Sequence, residues 1–600
     1  MRFLRFTDTV TLTSILWFST VLLRTVDCLP TSPSSAPLNS WRNATTNSTT
    51  SSTSTCALPI IDLGYARHRA TSYNAAGSYF VFRNIRFAAP PSRFRPPEPQ
   101  VSGDGYDKGE LTVNEGAMCH QAFNLQFKFV DYTQVGKKQS EDCLFVDIYV
   151  PASVFCDGDA SESFNRTRAA GEDGAHGLPV LVWIYGGGFT FGFKDGVYDP
   201  HGLLNVAQGK MIYAAISYRV GAFGFLPPVS GNEGGTNLGL LDQRMGLDWI
   251  ARYIDRFGGD AAQVTVLGES AGGSSILHHL TAGDGGEPAD VPFKRAIIQS
   301  TAYYPQYDAA MLETQYREFL QVAGCASSQG DNDATDAGLE CLLALDEKTL
   351  AQANKDYVLS ARWGTFQFGP YVDNSFAQDL PQFQLPRSRH KRSNVELMIG
   401  YNPREGAMFV DPSTHTERQV NRLIDLTFPN ASTEAIEHAK SLYPPRQSVW
   451  AWASEVIAEW AVSCFSLYLD DAYESVYLYQ FAIPPGTHSV DLPFTFWRGT
   501  DDPPSLPSLS AESPGMQDIA RHFQEYLVSF AIYGDPNILG TSGVEFPPTS
   551  SYSTEEMQGA GKPVMLQIHK KGFKHLAVDE FGPNRERCAF WQNKWWTGRE

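Results

Sequence analysis

Ser270 is the residue whose type and surroundings most readily suggest chemistry. It is the middle of a Gly-x-Ser-x-Gly stretch made by Gly268, Glu269, Ser270, Ala271 and Gly272. A serine hydroxyl attacks an acyl carbon only when a neighbouring base takes its proton. The stretch therefore asks for a histidine, for a carboxylate to orient that histidine, and for N–H groups to hold the oxyanion. Five residues with three fixed positions arise by chance in long chains, so the setting matters. Val264 to Leu267 form a strand-like run in front, and SSILHHL follows with helical character. A sharp strand-to-helix turn of this kind lifts a serine hydroxyl clear of the sheet edge, and small flanking residues let the backbone bend so tightly. Thirteen histidines compete for the role of base. His278 and His279 lie on the helical stretch behind Ser270 and read as packing residues.

The elements that must position such a serine sit in a chain of 600 residues, 42% hydrophobic and 12% aromatic, enough to bury a sizeable core. A formal net charge of −19 argues against nucleic acid as a partner, because gripping phosphates needs a basic face. Arg2 and Arg5 precede an apolar run from Val10 to Leu23. Residues 1–28 are therefore expected to be a signal peptide cleaved near Cys28, and the run is short and Ser/Thr-interrupted for a membrane anchor. No later stretch is apolar and long enough to span a bilayer. Residues 29–55, rich in Ser, Thr, Pro and Asn, are expected to form a disordered leader. Residues 56–600 are long enough for two or three ordinary domains, although one α/β core with large insertions can fill such a length. Asn43, Asn47, Asn165 and Asn430 open Asn-x-Ser/Thr sequons, so secretion and surface glycosylation are expected. Without Cys28 the cysteines number eight, an even set that suggests disulfides in an exported chain. None has zinc-finger spacing, so no metal is expected.

Along the chain, the stretch SEDCLFVDIYVP carries Val146, Ile148 and Val150 in the alternation of a half-buried strand. Val180 to Tyr185 reads as a buried strand and runs into the triplet Gly186 to Gly188, which by itself could be a plain turn. A long amphipathic helix is expected through LLDQRMGLDWIARYIDRF, stopped at Gly258-Gly259. Further strands are expected at Arg295 to Gln299, Val395 to Gly400 and Val476 to Phe481. The last of these leads into a Pro-Pro-Gly loop carrying His488.

Several of these stretches together resemble one family. They are YFVFRNIRFAAPPSRFRPPEP, SEDCLFVDIYVP, LPVLVWIYGGGFTFG, NLGLLDQRMGLDWI, the segment Phe368 to Pro381, and the serine turn itself. The chain is similar to the type-B carboxylesterases and lipases, the cholinesterase-like α/β-hydrolases, as a fungal-type secreted member. The likeness covers roughly residues 60 to 595. It implies a single α/β-hydrolase domain over residues 56–600, with a central, mostly parallel mixed sheet flanked by helices and large loop insertions forming a gorge. It also implies Glu405 as the acid, His488 as the base, and Gly187, Gly188 and Ala271 as oxyanion donors. The order Ser270, Glu405, His488 is the order of nucleophile, acid and base in α/β-hydrolases. The same resemblance pairs Cys119 with Cys143, Cys325 with Cys341, and Cys464 with Cys588, and assigns ion pairs to Arg93–Glu141 and Arg219–Asp242. Cys56 and Cys156 are left over, and their pairing stays open.

By that resemblance the chain is a serine hydrolase that cleaves carboxylic esters through an acyl-enzyme, with a small-molecule or lipid ester as substrate and no cofactor. The alternative is a catalytically inactive adhesion or scaffold protein, which would typically lack a triad residue. A cholinesterase places a tryptophan in the Cys119–Cys143 loop to hold a quaternary ammonium, and this loop has none. Phe123, Leu125, Phe127, Phe129 and Val130 of that loop could instead form an apolar lipase lid or pack inward, and Tyr132 is a poor stand-in for the tryptophan. Thr301 stands where the family has glycine, beside the expected acyl pocket. Oligomeric state is not set by the sequence.

Overall fold

The structure is a computed structural model, and it describes residues 57–100, 111–112, 115–124, 126, 138–156, 177–227, 235–282, 290–302, 308–326, 334–387, 394–443, 448–499, 514–550 and 563–597. The expected signal peptide and leader, Cys56, the sequons at Asn43, Asn47 and Asn165, and Leu125, Phe127, Phe129, Val130 and Tyr132 lie outside the described residues.

A two-stranded antiparallel sheet, β1 (Ile60–Asp62) and β2 (Arg67–Arg69), precedes one sheet of eleven strands. That sheet contains β3 (Ser72–Asn74), β4 (Tyr79–Arg86), β5 (Phe145–Pro151), β6 (Leu178–Ile184), β7 (Ile212–Ile216), β8 (Gly259–Glu269), β9 (Arg295–Gln299), β10 (Glu396–Tyr401), β11 (Val476–Phe481), β12 (Val564–His569) and β13 (Gly572–Ala577). Its spatial order is β13-β12-β11-β10-β9-β8-β6-β7-β5-β4-β3. The strands from β7 to β12 in that order run parallel, and antiparallel strands close both edges. Parallel strands joined by helical crossovers are covered on both faces, which is why they read as continuous apolar runs. Accordingly IYAAI in β7 and RAIIQ in β9 are buried at every position.

Strand β5 departs from its expected half-buried alternation, because all seven of its residues are buried. The polar position Asp147 does not face water. It accepts from Arg83 at 3.0 Å and pairs with Lys194 at 2.5 Å, so the polar half of the alternation is an internal ion cluster. The long helix runs Leu238–Tyr253 and tightens into a 3₁₀ turn, Ile254–Phe257, before Gly258 at φ 81°. Helix Ala271–Thr281 follows β8 and is buried along its whole length.

Three disulfides join Cys119 to Cys143, Cys325 to Cys341 and Cys464 to Cys588. Cys156 is also disulfide-bonded. Arg219 grips Asp242 through Nε at 2.8 Å and Nη2 at 2.7 Å, with both side chains buried. Arg93 holds Glu141 and also donates to the carbonyls of Leu342 at 2.9 Å and Leu345 at 2.6 Å. It thereby ties the first disulfide loop to the segment that follows the second.

Candidate active site

Four of the parallel strands end at one edge of the sheet, and each delivers a candidate residue there. Ser270 follows β8, the Gly186–Gly188 turn follows β6, Glu405 follows β10, and His488 lies in the loop after β11. Because the strands run parallel, their carboxyl ends bring together residues that are 83 to 218 positions apart in the chain.

His488 Nε2 lies 2.8 Å from Ser270 Oγ, and His488 Nδ1 lies 2.6 Å from Glu405 Oε2. All three side chains are buried or nearly so. Ser270 has φ 55° and ψ −121°, a strained conformation that costs of order 1–3 kcal/mol and that the surrounding structure must enforce. The enforcement is steric: a Cβ on Gly272 would sit 2.1 Å from the Ile184 carbonyl oxygen, so β6 and the start of the helix pack backbone to backbone. Glu405 is held by its second oxygen. Ser300 Oγ donates to Oε1 at 2.7 Å, the Asn402 N–H at 2.6 Å, and Asn402 Nδ2 at 3.2 Å. Oε2 is thus left facing the imidazole.

The glycine turn abuts the serine, since a Cβ on Gly186 would lie 3.0 Å from Ser270 Cβ. Gly187 has φ +115° and Gly188 φ +60°. A Cβ at Gly187 would lie 2.2 Å from the Phe191 carbonyl oxygen, and one at Gly188 2.1 Å from the Phe366 ring. Ala271 opens its helix, where N–H groups lack intrahelical partners and the dipole is positive.

The electrostatics depend on three carboxylates around one imidazole. Burial pulls His488 toward the neutral form, but the Glu405 charge and hydrogen bond, with Glu269 and Asp491 behind them, outweigh it and raise the imidazole to about 9. Glu269, whose Oε1 is 3.5 Å from His488 Nε2, accepts from Ser489 Oγ. Burial first, and the nearby Asp491 and Glu405 charges after it, push its carboxyl up to about 8, against the opposing pull of His488 and the Ser489 bond. Asp491 is fully buried and accepts from Gln299 Nε2 at 3.2 Å. Burial, then the Glu405 charge, raise it to about 6. An imidazole whose proton affinity is raised in this way can, from its neutral form, take the proton of the serine hydroxyl beside it.

His278 and His279 face packing, and burial lowers them to about 4 and about 3. His279 Nε2 meets Gln243 Oε1 at 3.1 Å. Thr301 is buried, and its hydroxyl donates to the Val462 carbonyl at 3.4 Å, inside a single π-helical turn, Glu459–Ser463. Sequence reasoning passed over Glu269, Ser300 and Asn402. Glu269 was open to it as the residue preceding the serine. Asn402, three residues before Glu405, had the spacing of a local side-chain-to-backbone cap. Ser300 gave no local signal. Among the described residues no group of three or more His, Cys, Asp and Glu could hold a metal ion, and no helix is long and apolar enough to cross a membrane.

A mostly parallel sheet with a serine turn at the end of a central strand, facing loops from three other strands, defines an α/β-hydrolase. The likeness extends to solved structures: EstA of Aspergillus niger superposes with a TM-score of 0.71 over 90% of this chain and 99% of its own, at 23% identity. A family model described as the carboxylesterase family matches residues 61–591. The chain is 31% identical to carboxylesterase patB of Aspergillus clavatus, covering 89% of this chain and 96% of that one. It is 30% identical to a secreted lipase of Arthroderma benhamiae, covering 89% and 92%. The chain belongs to the carboxylesterase family, and it is a serine hydrolase of carboxylic esters.

Proposed function

We propose that Ser270, His488 and Glu405 are the nucleophile, general base and orienting acid of a two-step ester hydrolysis. The observation that carries this reading is the unbroken hydrogen-bond series from Ser270 Oγ through both imidazole nitrogens to Glu405. His488 Nε2 takes the hydroxyl proton as Ser270 Oγ attacks the ester carbonyl, and Glu405 stabilises the imidazolium that results. The N–H groups of Gly187, Gly188 and Ala271 hold the oxyanion. His488 then protonates the departing alcohol, leaving an acyl-serine, and a water molecule deprotonated by His488 releases the acid. Ser270→Ala is expected to abolish hydrolysis of p-nitrophenyl acetate and labelling by a fluorophosphonate. Wild-type turnover in that variant would remove Ser270 from the role.

The substrate is a small-molecule or lipid ester, and rate against acyl chain length, with and without an oil–water interface, separates the two. We also place the protein outside the cell, since relatives include proteins named as secreted lipases and its disulfides belong to an oxidising compartment. Asn430 is an exposed sequon position, and a mass loss with N-glycosidase checks whether it carries a glycan. On this reading residues 56–600 work as one catalytic unit.

A further inference from the structure

The oxyanion donors are backbone groups, so what aims them is whatever fixes the peptide planes of the turn. Within the turn, the Gly187 carbonyl accepts from the N–H groups of Thr190 at 3.2 Å and Phe191 at 3.1 Å. The peptide joining Gly187 to Gly188 is planar and trans, so its N–H points opposite to its carbonyl. Holding the Gly187 carbonyl on Thr190 and Phe191 therefore turns the Gly188 N–H away from them. Four residues of this turn have positive φ: Gly187 at 115°, Gly188 at 60°, Phe189 at 59° and Gly192 at 129°. Such a conformation persists only where its neighbours hold it.

The hold comes from the first disulfide loop. Gln121 follows Cys119 by two residues and is 1% exposed. Its Oε1 accepts from the Gly192 N–H at 2.6 Å, and its Nε2 donates to the Cys119 carbonyl at 2.6 Å. Both ends of the amide are thus used, which fixes its plane. Its own N–H donates to Gln139 Oε1 at 3.1 Å, across the loop's closing bridge. The next residue, Ala122, donates its N–H to the Thr190 carbonyl at 2.9 Å. Two consecutive residues of the loop therefore clamp the turn at Thr190 and Gly192. Gly192 in turn lies against the residues that begin the turn, since a Cβ on it would meet the Gly186 carbonyl oxygen at 2.3 Å.

We infer that Gln121 is a positioning residue that aims the oxyanion donors, coupling the Cys119–Cys143 loop to catalysis; this rests on reading Gly187 and Gly188 as those donors. Replacing it with an isosteric side chain that cannot accept leaves the Gly192 N–H buried without a partner and lets the turn relax. The ground-state ester carbonyl makes little demand on the hole, whereas the tetrahedral oxyanion depends on it.

The test compares Gln121→Met with wild type on p-nitrophenyl acetate and on a trifluoromethyl ketone, whose adduct with the serine puts an oxyanion in the same place. Gln121→Met is expected to lower kcat roughly 10- to 100-fold, with KM within about twofold, and to weaken the ketone by the same factor. Gln121→Glu, which as a buried neutral acid keeps an acceptor for Gly192 and an O–H donor for the Cys119 carbonyl, is expected to recover most of both. Wild-type kcat and ketone affinity in Gln121→Met overturn the inference, as does a drop in melting temperature with kcat per titrated active site unchanged. Should Gln121→Met not fold, Gln121→Glu decides on the same two quantities: parallel changes in kcat and ketone affinity support the role, and a change in one alone refutes it. Ser270→Ala run alongside keeps the two readings apart. Turnover by that variant removes the nucleophile assignment, whereas an unaffected Gln121→Met removes only the positioning role.

Discussion

Replacing Glu405 with glutamine changes one oxygen to an amide nitrogen, and the neighbouring donors determine which one. Ser300 Oγ, the Asn402 N–H and Asn402 Nδ2 all donate toward Oε1. Glu405→Gln must keep its carbonyl oxygen there, since turning the amide would set donor against donor in a fully buried position. Its NH₂ group then faces His488 Nδ1 at the 2.6 Å contact now made by the carboxylate. An imidazole that accepts at Nδ1 carries its proton on Nε2, pointing at Ser270 Oγ, and cannot take the serine proton. The variant also loses the negative charge that stabilises the imidazolium. Fixing the wrong tautomer in such a triad lowers kcat by about 10⁴-fold, or about 5 kcal/mol of transition-state stabilisation. The assay is steady-state hydrolysis of p-nitrophenyl acetate, with active sites counted by fluorophosphonate titration and folding checked by thermal melting. Because the Glu405 charge is what raises His488, the acid limb of the residual kcat/KM profile should also move to lower pH. A folded Glu405→Gln enzyme within about tenfold of wild type would refute the tautomer argument.

Two further outcomes follow from buried charge. Arg219→Met leaves Asp242 fully buried without its bidentate partner and should cost about 3–5 kcal/mol in denaturant unfolding. Adding Asp242→Leu should recover much of this, and a loss below 1 kcal/mol for the single variant contradicts the account. For Glu269, burial holds the proton up to about pH 8, against about 4.5 for an unperturbed glutamate. The folded chain therefore binds that proton more tightly than the unfolded one, and stability from this group is full below about pH 4.5 and lost as pH rises through 8. Glu269→Gln cannot ionise, so its melting temperature relative to wild type should climb between pH 5 and pH 9; a constant difference across that range would exclude an ionising Glu269.

The local features of this chain were legible as text. The run Val264 to Leu267, the small residues around Ser270 and the helical stretch behind it meet through short-range sterics, and adjacent residues carry all the information such a turn requires. The strands Arg295–Gln299 and Val476–Phe481 stand where their apolar runs place them. Strand β5 misled because an alternating pattern reports side-chain polarity and not exposure, and Asp147 is buried among Arg83 and Lys194. Other features had no local trace. Glu269 was only the spacer of a pentapeptide until folding buried its carboxyl 3.5 Å from His488. Ser300 donates to a residue 105 positions away, and Gln121 bonds to a glycine 71 positions away. Sequence by itself determined which residues could turn, pair or attack, because those properties belong to the residue and its neighbours along the chain. Only the tertiary structure decided which of them face one another and which are stripped of water. Hydrogen bonding and desolvation depend on separation in space, and the parallel sheet gathers at one edge residues that the chain keeps far apart.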